Sequence, residues 1–296
     1  MKNIIFLSVL ASVFMLSGCG KSEDNRSGKI NIFTSILPQK YFVERIGGDR
    51  VSVSVLVGPG KSPATYEPLP DQVIALGTAD IFFTIGVPFE NAFIPKIEKS
   101  LQSLKIVDTS EGIKKKNIEA HDHDDHGEEE HDHKSGAPDP HIWMSARLVK
   151  QQALNIYNAL SAKDPEGKDF YKKGYDGFIA DLDKADAELK KSLAPFKGST
   201  LFVFHPVLGY FADEYGFKQV AIETGGKEPS PSALETIIKK AKADNVKVIF
   251  VQPEFSRKSA EAVAKAIGGS VITLNPLNPD YLNNLLYIAA EVKKAL

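Results

Sequence analysis

Seven histidines occur in 296 residues, and five of them fall within positions 121–133, HDHDDHGEEEHDH, beside seven acids and one glycine. Neutral imidazoles and carboxylates are ligands for divalent transition metals. His121, His123, His126, His131 and His133 therefore read as a run of weak, exchangeable contacts for metal capture. Imidazole must be neutral to ligate, so such a run releases metal as pH falls below about 6.5. The same composition also fits a solvated segment too polar to bury a core. The other two histidines stand apart, His141 in Asp139-Pro-His-Ile-Trp-Met-Ser145 and His205 in Phe204-His-Pro-Val-Leu-Gly-Tyr-Phe211. Taken singly, each reads as readily as a hydrogen-bonded core histidine. Other chemistry finds little support. Gly58-Pro-Gly-Lys-Ser62 ends like a phosphate-binding loop, but Val55 stands where its first glycine belongs, and Pro63-Ala-Thr does not open a helix. Neither a G-x-S-x-G elbow nor an H-E-x-x-H pair occurs in the sequence. An enzyme is not expected.

The elements that must position these residues follow a simple rhythm. Short β-rich runs at Lys29–Thr34, Val51–Leu56, Ile81–Ile85 and Leu104–Asp108 alternate with helix-like segments at Pro38–Ile46, Pro70–Ala79 and Phe89–Ser103. After residue 199 the alternation returns, with strands at Thr200–Phe204, Phe217–Ile222, Lys247–Val251 and Val271–Leu274. Strands alternating with helices of this length predict parallel sheets built from βα units. Between the halves, Pro165–Leu193 carries Tyr171, Tyr175, Phe178, Leu182, Ala185, Leu189 and Leu193 at steps of three and four, a helical stripe. Asp164 is placed to cap it, with proline at the first helical position. The expected fold is α/β: two similar lobes, each a mostly parallel four-stranded sheet flanked by helices, joined by one long rigid backbone helix. The expected divisions are a lobe over 29–147 that carries the His/acidic loop 119–136, a helical region over 148–195, and a second lobe over 196–296. Ligands of open parallel sheets bind beyond the carboxyl ends of the strands. Four such loops, two from each lobe, converge on the predicted cleft: 58–70, 139–145, the turn at His205-Pro206, and Asn275-Pro-Leu277.

The amino terminus reads as an export signal. Met1-Lys2-Asn3 precedes an apolar run from Ile4 to Leu16, too short for the ~20 residues that span a bilayer. It ends Leu16-Ser17-Gly18-Cys19, which resembles the lipobox of bacterial lipoproteins. That resemblance implies a signal peptide over 1–18 and a lipid on Cys19, the chain's single cysteine, with 19–28 as a flexible tether. The protein is then expected outside the cytoplasm, in the periplasm or at the cell surface, held to a bacterial membrane. Lys plus Arg total 36 and Asp plus Glu 38, which offers no basic field for nucleic acid. Leaving out the seven loop acids, 31 acids face 36 basic residues, so the acidity is concentrated in one segment.

Five segments in order carry a more specific resemblance: Ser62-Pro-Ala-Thr-Tyr-Glu-Pro-Leu-Pro70, Asp139–Ser145, Phe204–Phe211, Gln252-Pro-Glu-Phe-Ser256 and Asn275-Pro-Leu277. Over essentially the whole exported chain, the sequence resembles the metal-binding lipoproteins of bacterial zinc and manganese ABC importers, the cluster A-I solute-binding proteins. The His/acidic insertion resembles that of the zinc members. The resemblance implies a monomeric binding protein that captures a divalent metal between its lobes and hands it to an ABC permease in the membrane. Two of the four ligand positions it implies are filled, by His141 and His205; a third holds Ala64 instead of histidine, and the fourth holds Asn275 instead of aspartate. Three completions stand open: carboxylates such as Glu67, Glu254, Glu223 or Asp280; an imidazole from the acidic loop, His133 lying about 26–29 Å of extended chain from His141; or a cleft that no longer takes metal. The surviving histidines favour zinc over manganese, whose sites lean on carboxylates. The runner-up function is a lipoprotein on the same fold that binds a non-metal ligand or serves adhesion, with metal confined to the loop.

Overall fold

The computed structural model describes residues 28–118, 137–223 and 229–296. The signal peptide, Cys19 and nearly all of the tether lie outside the described residues, and so does the whole His/acidic loop. In the first lobe β1 (Ile30–Ile36), β2 (Val51–Val57), β3 (Ile81–Thr84) and β4 (Lys105–Asp108) pair in the order β2-β1-β3-β4, all parallel. Helices α1 (Leu37–Gly47), α2 (Pro70–Leu76) and α3 (Pro88–Ser100) make the crossovers. Every side chain of Ile81-Phe-Phe-Thr is buried, as expected of a central strand covered on both faces. After α4 (Ala146–Lys163) and α5 (Lys168–Leu193), the second lobe repeats the arrangement. Its strands β5 (Thr200–Val203), β6 (Lys218–Ala221), β7 (Val248–Val251) and β8 (Ser270–Thr273) pair in the order β6-β5-β7-β8, again all parallel. Helices α6 (Gly209–Tyr215), α7 (Pro231–Ala243) and α8 (Arg257–Ile267) connect them, and α9 (Tyr281–Ala295) closes the chain.

The expected connector is present with a tighter start. Asp164 accepts from the Gly167 amide at 3.1 Å and caps a 3-10 turn over Pro165–Gly167, from which α5 proceeds. With the 3-10 turn at Ala194–Phe196 the helical run reaches 32 residues. The 26 residues of α5 alone span about 39 Å at roughly 1.5 Å each. Its stripe Tyr171, Phe178, Leu182, Ala185, Leu189 and Leu193 is buried, while Tyr175 is half-buried and stacks on Tyr157 of α4. A side chain at Gly174 would meet the Ile46 carbonyl at 2.5 Å, so α5 lies directly on the end of α1.

One apolar core runs through both lobes, from Ile32 and Phe83 through Leu182 and Leu189 of α5 to Leu201, Val203, Ile288 and Val292. On the other face of the second sheet, Phe202, Val220 and Ile249 pack against Ile237, Ala260 and Val263 of α7 and α8. The alternation of Leu201 and Val203 with Phe202 along β5 divides that strand between the two cores. The core is shared by both lobes, and α5 is laid across it. No helix among the described residues is long and apolar enough to cross a membrane.

Candidate metal centre

In each sheet the chain reverses its direction of growth at the first strand, and the crevice lies beyond the carboxyl ends of that strand and its later neighbour. His205 follows the end of β5. The neighbouring strands hold it from both sides. Beyond β6, Glu223 accepts from His205 Nδ1 at 2.5 Å, and beyond β7 the Gln252 side chain accepts from the His205 amide at 3.2 Å. Phe255 stacks on the imidazole with ring centroids 4.8 Å apart. Rotamer and tautomer of His205 are therefore fixed, with Nε2 left to face the other lobe.

His141 is set by the same device in a different backbone. The chain leaving the first lobe at residue 118 and the chain returning at 137 are zipped together. The Ile118 amide donates to the Ala137 carbonyl at 3.0 Å, and the Asp139 amide to the Lys116 carbonyl at 2.7 Å. Buried Asp139 then accepts from the His141 amide at 2.9 Å and from His141 Nδ1 at 2.7 Å. A 3-10 turn over Ile142–Met144 leads to Ser145, which caps α4 by accepting from the Leu148 amide. Trp143 ties this turn to the second lobe: its indole donates to the Pro276 carbonyl at 3.0 Å, and Tyr281 donates to the Trp143 carbonyl at 2.7 Å.

The two Nε2 atoms meet at 3.2 Å. Two imidazoles binding one tetrahedral zinc at about 2.0–2.1 Å each would hold their nitrogens roughly 3.3–3.4 Å apart, so the pair is already spaced to share an ion. Each ring donates Nδ1–H to a buried carboxylate, the outer-shell arrangement that orients a metal-bound histidine and raises its basicity. Asp139 and Glu223 place two negative charges behind the rings, which matches a divalent cation. The hydrogen bond between the Nε2 atoms needs one proton, and an ion bound there displaces it. Burial, reinforced by the neighbouring His141, holds His205 below the ordinary imidazole range against the opposing pull of Glu223. The ring is thereby kept in its ligating, neutral form.

The space around the pair is about 70 Å³, far under the ~300 Å³ and above usual for organic ligands. All four expected loops line it, through Ala64, Pro140, His205 and Leu277, and the β3–α3 turn adds Val87 and Pro88. Of the carboxylates weighed as replacements, Glu254 is half-buried in the wall, and burial raises its pKa against the pull of His205. Glu223 instead serves His205 from behind. Glu67 is exposed and does not line the cavity. Asn275 turns its side-chain oxygen to the Leu277 amide at 3.0 Å, and exposed Asp280 accepts from Asn283 at 2.8 Å. Among the described residues no group of three or more His, Cys, Asp and Glu is assembled as a metal cluster. Sequence reasoning treated Asp139 only as part of a motif; its signal was the Asp-x-His spacing, in which a carboxylate two residues back reaches Nδ1. Gln252 and Phe255 likewise entered only as part of a motif, Gln252–Ser256; their contact with His205, about 50 residues away in sequence, could not be read from it.

The sequence model of the family described as zinc-uptake complex component A, periplasmic, matches residues 32–295. The chain is 32% identical over 288 residues to the high-affinity zinc uptake system protein ZnuA of Bacillus subtilis strain 168, covering 92% of this chain and 88% of that protein. A crystal structure of ZnuA superposes with a TM-score of 0.83 at 38% identity, over 90% of this chain and 99% of that one. A ZnuA lacking residues 138–173 of its own numbering, with zinc bound, gives 0.82 at 37% identity, over 90% and 98%.

Proposed function

This chain belongs to the family of zinc-uptake complex periplasmic components, the extracytoplasmic solute-binding proteins of ABC importers, and on that premise we propose that it captures zinc between its lobes and delivers it to a membrane permease. His141 and His205, one from each lobe, hold the ion through Nε2, and Glu254 supplies the third contact from the cavity wall. One observation carries this reading: the facing Nε2 atoms 3.2 Å apart, each ring backed by a carboxylate. Imidazole donors favour zinc over manganese. The zinc relatives support the same choice.

Residues 119–136 serve as a low-affinity collector that raises the local supply of metal, distinct from the tight centre. The lipid on Cys19 keeps the protein beside its permease. Because the lobes share one core, release depends on local change around the cavity wall more than on a wide opening of the lobes.

Zinc titration by calorimetry tests the reading on three proteins: the exported chain, a variant lacking 119–136, and a His141→Ala/His205→Ala double variant. The first two are expected to keep one tight site and the double variant to lose it while the loop still binds weakly. A tight site that survives in the double variant, or vanishes with the loop, overturns the assignment.

A further inference from the structure

The backbone that carries His141 is slender. It is held by one isolated antiparallel bridge, Asn117 with Pro138, between the Ile118–Ala137 and Asp139–Lys116 bonds described above. In a regular ladder Lys116 and Asp139 would exchange two hydrogen bonds. Only one is made, from the Asp139 amide to the Lys116 carbonyl. The Tyr210 hydroxyl takes the place of the other: it accepts from the Lys116 amide at 3.0 Å and donates to the Asp139 carbonyl at 3.0 Å. A two-stranded pair is marginal by itself, and here a side chain of the second lobe completes it.

Tyr210 reaches this place from the first turn of α6, five residues after His205. A side chain at Gly209 would meet Lys116 Nζ at 2.8 Å and Asp139 Oδ2 at 3.2 Å, so α6 begins directly on Asp139. Burial, helped by the charges of Asp139 and Asp213, pushes the Tyr210 hydroxyl up to about 12 against the pull of the Lys116 amide, which keeps it a donor at neutral pH. Asp139 in turn holds both the amide and Nδ1 of His141 on one oxygen, Oδ1. A shift of the Asp139 backbone therefore turns the imidazole, and a binding site needs its side chains held to within about 0.5 Å.

We propose that Tyr210 is a positioning residue for zinc capture: by bridging Lys116 and Asp139 it fixes the carboxylate that aims His141, so the segment that supplies His205 also sets the geometry of the opposing ligand. This rests on the two-histidine centre assigned above.

Tyr210→Phe keeps the ring and removes only the bridge. Outer-shell partners of metal-bound histidines carry about 10- to 100-fold in affinity, and Tyr210 holds the backbone of such a partner, so the variant should bind zinc about three- to tenfold more weakly in competition against a chromophoric chelator. The metal-free exported chain with isotope-labelled histidine gives a readout that a general loss of stability would not move. In Tyr210→Phe the Nδ1–H of His141, identified by its absence from His141→Ala, should exchange with water on the order of fivefold faster, the effect of weakening one hydrogen bond, while that of His205 stays as in wild type. Asp213→Asn removes the neighbouring ion pair to Lys116 at 2.9 Å, leaves the bridge intact, and should match wild type in both assays. Gly209→Ala crowds the Asp139 carboxylate with the hydroxyl kept; it should also speed exchange at His141 alone, and it carries the test if the phenylalanine variant does not fold. The proposal is overturned by unchanged zinc affinity in Tyr210→Phe, by exchange that rises equally at both histidines, or by Asp213→Asn behaving like Tyr210→Phe. A wild-type chain without a tight zinc site would instead refute the function proposed above, and the exchange measurement, which needs no metal, would still decide whether Tyr210 aims His141.

Discussion

Glu223→Gln isolates what the carboxylate behind His205 does for metal binding. The wild-type Nδ1 to Oε1 contact is 2.5 Å, the carboxylate is buried, and the ring is held from its other side by Phe255 and through its amide by Gln252. Glutamine keeps the shape but removes the charge, so His205 loses basicity and one of the two negative charges that balance the ion is gone. Substituting outer-shell partners of this kind weakens metal binding about 10- to 100-fold, equivalent to roughly 1.4–2.7 kcal/mol. Competition against a chromophoric zinc chelator at neutral pH measures the change directly, with circular dichroism confirming the fold. The loss should concern zinc alone, leaving loop binding untouched, and Asp139→Asn should match or exceed it because Asp139 also holds the His141 backbone. Zinc affinity equal to wild type in Glu223→Gln would falsify the claim that the carboxylate acts through His205.

Three further outcomes follow from the packing. Glu90 is buried against the amides of Ile85 and Gly86, and burial pushes its carboxyl up to about 7 from an ordinary 4.5. A pKa raised on folding favours the folded state fully below about 4.5 and loses that contribution as pH rises through 7. Thermal melts from pH 5 to 9 should therefore show Glu90→Gln gaining on wild type toward alkaline pH, by an amount on the order of 3 kcal/mol; parallel curves would refute the burial argument. Gly174→Ala should destabilise by about 1–3 kcal/mol in urea melts, because overpacking against the Ile46 carbonyl outweighs the ~1 kcal/mol helix propensity that alanine normally gains over glycine. Spin labels on the exposed faces of α2 and α7 should report an interlobe distance that changes little on adding zinc. A large closure would contradict the shared core.

Much of the protein was legible in its order of residues. The alternation of short apolar strands with helical stripes is local, so both sheets, the long helix and its Asp164-Pro165 start could be read directly, with small shifts at the ends such as α2 stopping before Gly77. The chemistry of the loops was legible in part: strand-end position made His141 and His205 candidates, and only the resemblance of five ordered segments to the importer family marked them as ligands. What the sequence could not show was which atoms meet. His141 and His205 are 64 residues apart and touch only because two separately built sheets share one core, with Trp143 and Tyr281 pinning the loops across it. The same docking gave each carboxylate its role. Glu223 and Glu254 look alike as candidate ligands, yet pairing of β5 with β6 sets Glu223 on Nδ1 of His205, while the turn beyond β7 places Glu254 in the cavity wall. Sequence determined the donors on offer. Strand pairing and lobe docking decided which of them face the metal, because ligation depends on distances of a few ångströms that no local pattern encodes.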